Sequence, residues 1–225
     1  MNKKTYDIRK LVVLAMFCAL AFSSVFVFKF KVAFLTFDLK DVIITVGGLF
    51  FGPLSALAMS LVVAFIEGIT ISDTGIYGFF MNFLSSAAFS VTASLLYKRL
   101  RGIKGAIVGL LSGVLVVTVT MVAFNMLITP LYLKTSMSEV LALIPTLLLP
   151  FNLTKAVFNS SLVLMVYKPI SYALKRAKLA DGVAVYTFDK KSIFVFVLGL
   201  LLLVASFAVL IFVLNGRVDW FVNRS

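Results

Sequence analysis

Charge-free apolar runs separated by short polar or basic stretches set the organisation of this chain. Leu11–Phe28 runs for eighteen residues without a charge, behind Lys3, Lys4, Arg9 and Lys10. About 20 residues cross a bilayer core as a helix, so this run predicts a first, retained membrane span. A polar stretch follows, Lys29–Asp41, carrying Lys29, Lys31, Asp38, Lys40 and Asp41. Val42–Ile66 then has no charge over 25 residues. It holds Gly52-Pro53, a turn signal, which predicts two short helices rather than one long one. Glu67–Gly75 reads as a polar loop, Ile76–Tyr97 as a fourth helix and Lys98–Lys104 as a basic loop. Gly105–Leu133 holds a fifth helix ending near Thr129-Pro130, and Lys134–Leu143 is a linker with room for a short amphipathic turn. Ile144–Tyr167 is a sixth helix with Pro150 in its first turns, a tolerated place for proline. Lys168–Lys191 is a basic segment, and Ser192–Leu214 is a final apolar span.

Composition strengthens this pattern. Of 225 residues, 62% are hydrophobic and 13% charged, and the mean hydropathy is +1.12. That leaves too little polar surface for a water-soluble enzyme and too few polar residues for a disordered chain. The runs are continuous rather than alternating, so the prediction is an all-α polytopic membrane protein and not a barrel.

The net charge of +12 is a topology signal more than a sign of nucleic-acid binding. Seven spans with a cytoplasmic N-terminus place fourteen Lys and Arg inside and six outside, with Lys155 within a span. Six spans with the N-terminus outside divide them thirteen against seven, so charge barely separates the two. The basic N-terminus and the Gly-Pro break favour seven. The protein is then a multi-pass plasma-membrane protein, its inner face netting +11 and its outer face zero.

The same topology gathers the polar groups near the outer side. Asn82 sits in the first turns of the fourth helix and Asn125 near the outer end of the fifth. Asn152, Lys155 and Asn159, spaced by three and four, share one face of the sixth. Lys155 reads as a lone cation within a span. Burying it costs about 2.5–3.5 kcal/mol on insertion scales, so it needs a cavity or a partner unless it snorkels outward. Glu67 closes the third helix, while Asp38, Asp41 and Asp73 read as solvated loop positions. Phe34, Phe37, Tyr77, Phe79 and Phe80 fall in the same outer region, where aromatics stack on planar ligands or pack in a core. On the first helix, Ala15 and Ala19 form a small-xxx-small pair that admits another helix closely.

Several chemistries are absent. With no His, the usual zinc and Ser-His arrangements are missing, and no metal site is expected. Cys18 is a single cysteine and cannot form an internal disulfide. No Gly-rich phosphate loop of the G-x-x-x-x-G-K-[ST] kind occurs, so energy for active transport would come from partner proteins. No nucleophile–base arrangement is readable, and an enzyme is the least supported class.

Three stretches carry a family resemblance: Leu35–Pro53 (LTFDLKDVIITVGGLFFGP), Asn82 in MNFLSSAAF, and Pro150–Lys155 (PFNLTK). With the A-x-x-x-A pair, the chain resembles the substrate-binding S component of energy-coupling factor (ECF) vitamin transporters, most closely the riboflavin-binding members. The resemblance covers about residues 8–178. It implies a six-helix S-component bundle over 1–178, with 179–225 adding a basic linker, an extra transmembrane helix and a short tail. It also implies a vitamin bound from outside and no cofactor, riboflavin being the cargo. Ala15 and Ala19 would dock onto a transmembrane coupling subunit carrying two cytoplasmic ATPases, and toppling would present the ligand inside. Lys29–Asp41 would form part of the gate. Asp38, Glu67, Asn82, Asn125, Asn152, Lys155 and Asn159 would line the vitamin site. Folate, pantothenate or another vitamin stays open as ligand, as do a self-sufficient secondary carrier and a membrane adaptor acting through the last helix.

Overall fold

A computed structural model describes residues 3–72, 74–177, 179, 190–213 and 218–219. Asp73 and most of the basic linker, including Lys178, lie outside the described residues. Helix α1 spans Lys3–Val27 and ends at a small hairpin, β1 (Lys29–Val32) and β2 (Leu35–Asp38). Five helices follow: α2 (Lys40–Phe51), α3 (Pro53–Thr70), α4 (Gly75–Leu100), α5 (Gly102–Leu133) and α6 (Met137–Leu143). One π-helical turn, Ile144–Leu148, leads into α7 (Leu149–Arg176), and the chain continues through α8 (Lys190–Val213) to β3 (Val218–Asp219).

Six described helical segments are long and apolar enough to cross a membrane, and α2 is not among them. Its 12 residues give a helix of about 18 Å, short of the ~30 Å hydrocarbon core. It is apolar nearly all round, and α1, α3, α4 and α7 bury nine of its residues. The expected break is real. Gly52 stands at φ 94°, a backbone state that side-chain-bearing residues rarely adopt, and Pro53 opens α3 with its preset φ.

Lys29–Asp38 departs from the expected polar loop. Its alternation sends Phe30, Val32, Leu35 and Phe37 to one buried face, while Lys29, Lys31 and Thr36 keep partial exposure on the other. Register pairs Lys29 with Asp38 and Val32 with Leu35 across the two-residue turn Ala33-Phe34. β3 pairs with the free edge of β1, giving sheet order β2-β1-β3.

The fifth helix continues past Pro130 to Leu133, and the expected linker holds a capped helix, Ser136 Oγ accepting from the Glu139 N–H. Pro150 lacks the N–H that would close an ordinary turn there, and the Leu149 N–H instead reaches Ile144 O, five residues back. The sixth span runs on to Arg176 rather than stopping at Tyr167.

Two apolar cores result. The larger lies among α1–α5 and α7, takes in Val195 of α8, and includes the buried Phe17, Val46, Met59, Phe89 and Leu110. The smaller lies beneath the hairpin, where Phe30, Phe37, Leu148, Phe151 and Phe158 meet Leu210 of α8.

Candidate ligand-binding site

The polar face of the hairpin roofs a cavity of about 400 Å³ between α3, α4, α5 and α7. Asp38, Glu67, Asn82, Asn125, Asn152 and Lys155 all line it. Asn159 does not. It sits one turn deeper on α7, against a small void shared with Asp41, Ser85 and Asn152.

Five charged side chains from four elements converge at the wall or just beneath it. Lys155 Nζ donates to Asp38 Oδ2 at 3.0 Å and to Thr36 O at 3.1 Å, and lies 3.9 Å from Asp41 Oδ2. Lys40 Nζ donates to Glu67 Oε2 at 2.5 Å and stands 3.7 Å from Asp38 Oδ2. Asn82 Nδ2 donates to the same Glu67 oxygen at 3.0 Å. Ser86 Oγ donates to Asp41 Oδ1 at 2.5 Å, and Asn159 Nδ2 reaches Asp41 Oδ2 at 3.4 Å.

Lys155 has both the partner and the cavity that its burial called for, and it does not snorkel: it is 8% exposed and bound to Asp38. One sequence expectation is corrected here. Asp38 and Asp41 are not solvated loop ends but are buried, at 0% and 2% exposure. The desolvation cost of so many charges demands close pairing, and the cluster supplies it. Two lysines face three carboxyl groups. Burial alone would push the Asp38 carboxyl up, but Lys155 and Lys40 beside it hold it below the ordinary carboxylate range.

Some hydrogen-bonding capacity is left over in the buried cluster. Glu67 Oε1 and Asn159 Oδ1 are buried and have no partner among the described residues. Asn125 and Asn152 each spend one amide hydrogen on a carbonyl four residues back, Met121 O and Leu148 O, both at 2.7 Å. Thr129 Oγ1 donates to Asn125 Oδ1 at 3.0 Å, fixing which amide edge is held by the helix. Phe34, Tyr77 and Tyr132 line the mouth, whereas Phe37 faces the smaller core and Phe79 and Phe80 pack edge-on with each other. Sequence reasoning left Lys40 and Asp41 out of the site. The readable signal was the period-2 alternation of Lys29–Asp38, which brings the next residues to the cavity wall instead of into solvent.

On α1, Ala15 and Ala19 are exposed, on the face away from the buried Val13 and Phe17.

Residues 9–167 match the family model described as "ECF transporter, substrate-specific component". The chain belongs to this family. It is thus an S component, the substrate-specific subunit of an ECF transporter and a multi-pass membrane protein. This S component is 29% identical over 178 residues to the riboflavin transporter RibU of Staphylococcus aureus (strain TCH60), covering 75% of this chain and 93% of that relative. It is 29% identical over 177 residues to the riboflavin transporter FmnP of Bacillus subtilis (strain 168), covering 72% and 93%. A solved S component of a bacterial ECF transporter superposes with a TM-score of 0.64 at 29% identity, over 76% of this chain and 99% of that one.

Proposed function

We propose that this S component binds riboflavin and delivers it to an ECF importer. Similarity to two riboflavin transporters carries the reading. The cavity supports it: its volume lies within the roughly 300–1,000 Å³ of small-molecule sites. Asn82, Asn125, Asn152 and Lys155 offer donors and acceptors suited to the polar edge of an isoalloxazine dione and to ribityl hydroxyls. Phe34 and Tyr77 supply aromatic surface for the ring system. Asp38 and Glu67 hold the two lysines in place, and Asn159 steadies Asp41 beneath them. Riboflavin is cargo here, and no cofactor enters the proposal.

The N-terminus lies in the cytoplasm in this reading, on the strength of the Lys and Arg that precede α1 and of the Gly52-Pro53 break. The cavity then opens outward. Ala15 and Ala19, exposed on α1, dock onto a transmembrane coupling subunit that carries two ATPases. Residues 1–178 form the vitamin-binding unit and 179–225 an appended membrane helix.

Purified protein titrated with riboflavin without ATP tests the ligand. Stoichiometric quenching of flavin fluorescence is the expected result. Native mass spectrometry that finds a different vitamin co-purifying, together with no quenching, would overturn it.

A further inference from the structure

The family match ends at residue 167, yet the chain beyond it is built into the roof of the cavity. Helix α8 lies close against α7: a Cβ on Gly199 would come within 3.1 Å of Ser161 O and 3.0 Å of Met165 Cγ. Towards the hairpin end, Leu210 is 2% exposed within the smaller core. The Phe207 ring meets Phe158 edge-on at 5.3 Å, Phe158 meets Phe37 at 5.1 Å, and Phe37 stacks on Phe30 at 4.8 Å. This aromatic row passes directly behind the ion pair. Asp38 follows Phe37 in β2, and Lys155 precedes Phe158 by one turn of α7. Past α8, β3 occupies the edge of β1 that β2 leaves open, with Lys31 opposite Asp219 and Val32 opposite Val218.

We propose that α8 and β3 act as a strap that holds the hairpin down over the cavity and so sets the rate of ligand exchange. Phe207 and Leu210 are its positioning residues: they act on Asp38 and Lys155 through Phe37 and Phe158. The physical basis is that an isolated two-stranded hairpin is marginal in water and needs a further strand or a helix to be stable. The strap supplies both. For the hairpin to lift, the β1–β3 pairing must part and the apolar face must leave the core that it shares with Phe207 and Leu210. Local opening of that kind costs more as the segment gains buried contacts. The strap lies on α7, away from the exposed face of α1, so it leaves Ala15 and Ala19 uncovered.

The test uses the full chain in nanodiscs with Cys18→Ser, Lys31→Cys and Asp219→Cys, compared oxidised and reduced. A disulfide should form, and it should slow amide hydrogen exchange over residues 29–38. Riboflavin release should slow by about an order of magnitude, with reductant restoring both rates. Failure of the disulfide to form, or a disulfide that changes neither rate, overturns the strap. A second arm compares Phe207→Ala with Phe207→Leu. The alanine variant should release riboflavin faster and exchange hairpin amides faster, and the leucine variant should recover most of both. Equal rates in the two variants and the parent overturn the positioning role. The ligand readout rests on the riboflavin reading, whereas the amide readout does not. A protein that binds no flavin but shows strapped amides therefore refutes the first proposal and keeps this one.

Discussion

Lys155 and Asp38, 117 residues apart in sequence, form a 3.0 Å ion pair that ties the start of α7 to the end of the hairpin. Both residues line the cavity, so one contact joins its roof to its wall.

Removing one member of that pair should cost more than removing both. Lys155→Met leaves Asp38 buried beside Lys40 alone, and breaking a buried pair typically costs about 3–5 kcal/mol. Lys155→Met with Asp38→Asn should recover part of that loss in a thermal melt, while riboflavin binding stays weak in both. A double variant no more stable than the single one would separate the two residues energetically.

Glu67→Gln should keep the protein folded, because Lys40 retains Asp38 nearby and the amide can still accept from Asn82. It removes a carboxylate charge beside Lys40, on a residue that lines the cavity. Riboflavin affinity should fall by roughly 10- to 100-fold, the range for a hydrogen bond to a charged group. Isothermal titration of parent and variant checks this.

Acidification acts through Asp38 with a definite sign. Its carboxyl is held below the ordinary range in the folded protein, so its contribution to stability is complete above the unfolded value. That contribution is lost as pH falls through the lowered folded value. Below about pH 5 the melting temperature should therefore fall less in Asp38→Asn than in the parent. Melts in a pH series decide it.

Gly52→Ala isolates a backbone effect. Nothing lies within 4 Å of a Cβ placed there, so the cost comes from φ 94° alone. A loss of roughly 1–3 kcal/mol is expected for an L-residue held at φ 94° and ψ 170°, a region populated almost only by glycine. A neutral result in chemical denaturation would mean that the α2–α3 corner relaxes.

Ala15→Trp and Ala19→Trp should leave riboflavin binding intact and abolish uptake in whole cells. Both positions are exposed on α1, opposite its packed face. Normal uptake in both variants would move the docking surface elsewhere.

Helices were legible because a bilayer makes hydrophobicity decisive over runs of about 20 residues. The Gly52-Pro53 corner was legible because both residues have narrow backbone roles. The shared face of Asn152, Lys155 and Asn159 followed from helical spacing. The hairpin was not read, because its charged residues mask a four-residue alternation that is short beside the flanking spans. Missing it also hid the burial of Asp38 and Asp41. A carboxylate next to a span resembles a solvated end until the tertiary fold places a lysine from another helix against it. Lys40 was lost in the same way, since its partner Glu67 lies 27 residues on and no local pattern links them.

The two-residue turn at Ala33-Phe34 sets a parity rule for Lys29–Asp38. One residue inserted or deleted within either strand would exchange its faces beyond that point, sending lysines into the aromatic row and phenylalanines into the cavity. Length in this segment is therefore constrained in steps of two. The side chains at 29, 31 and 36, which line the cavity, keep their place in the roof only while that parity is kept.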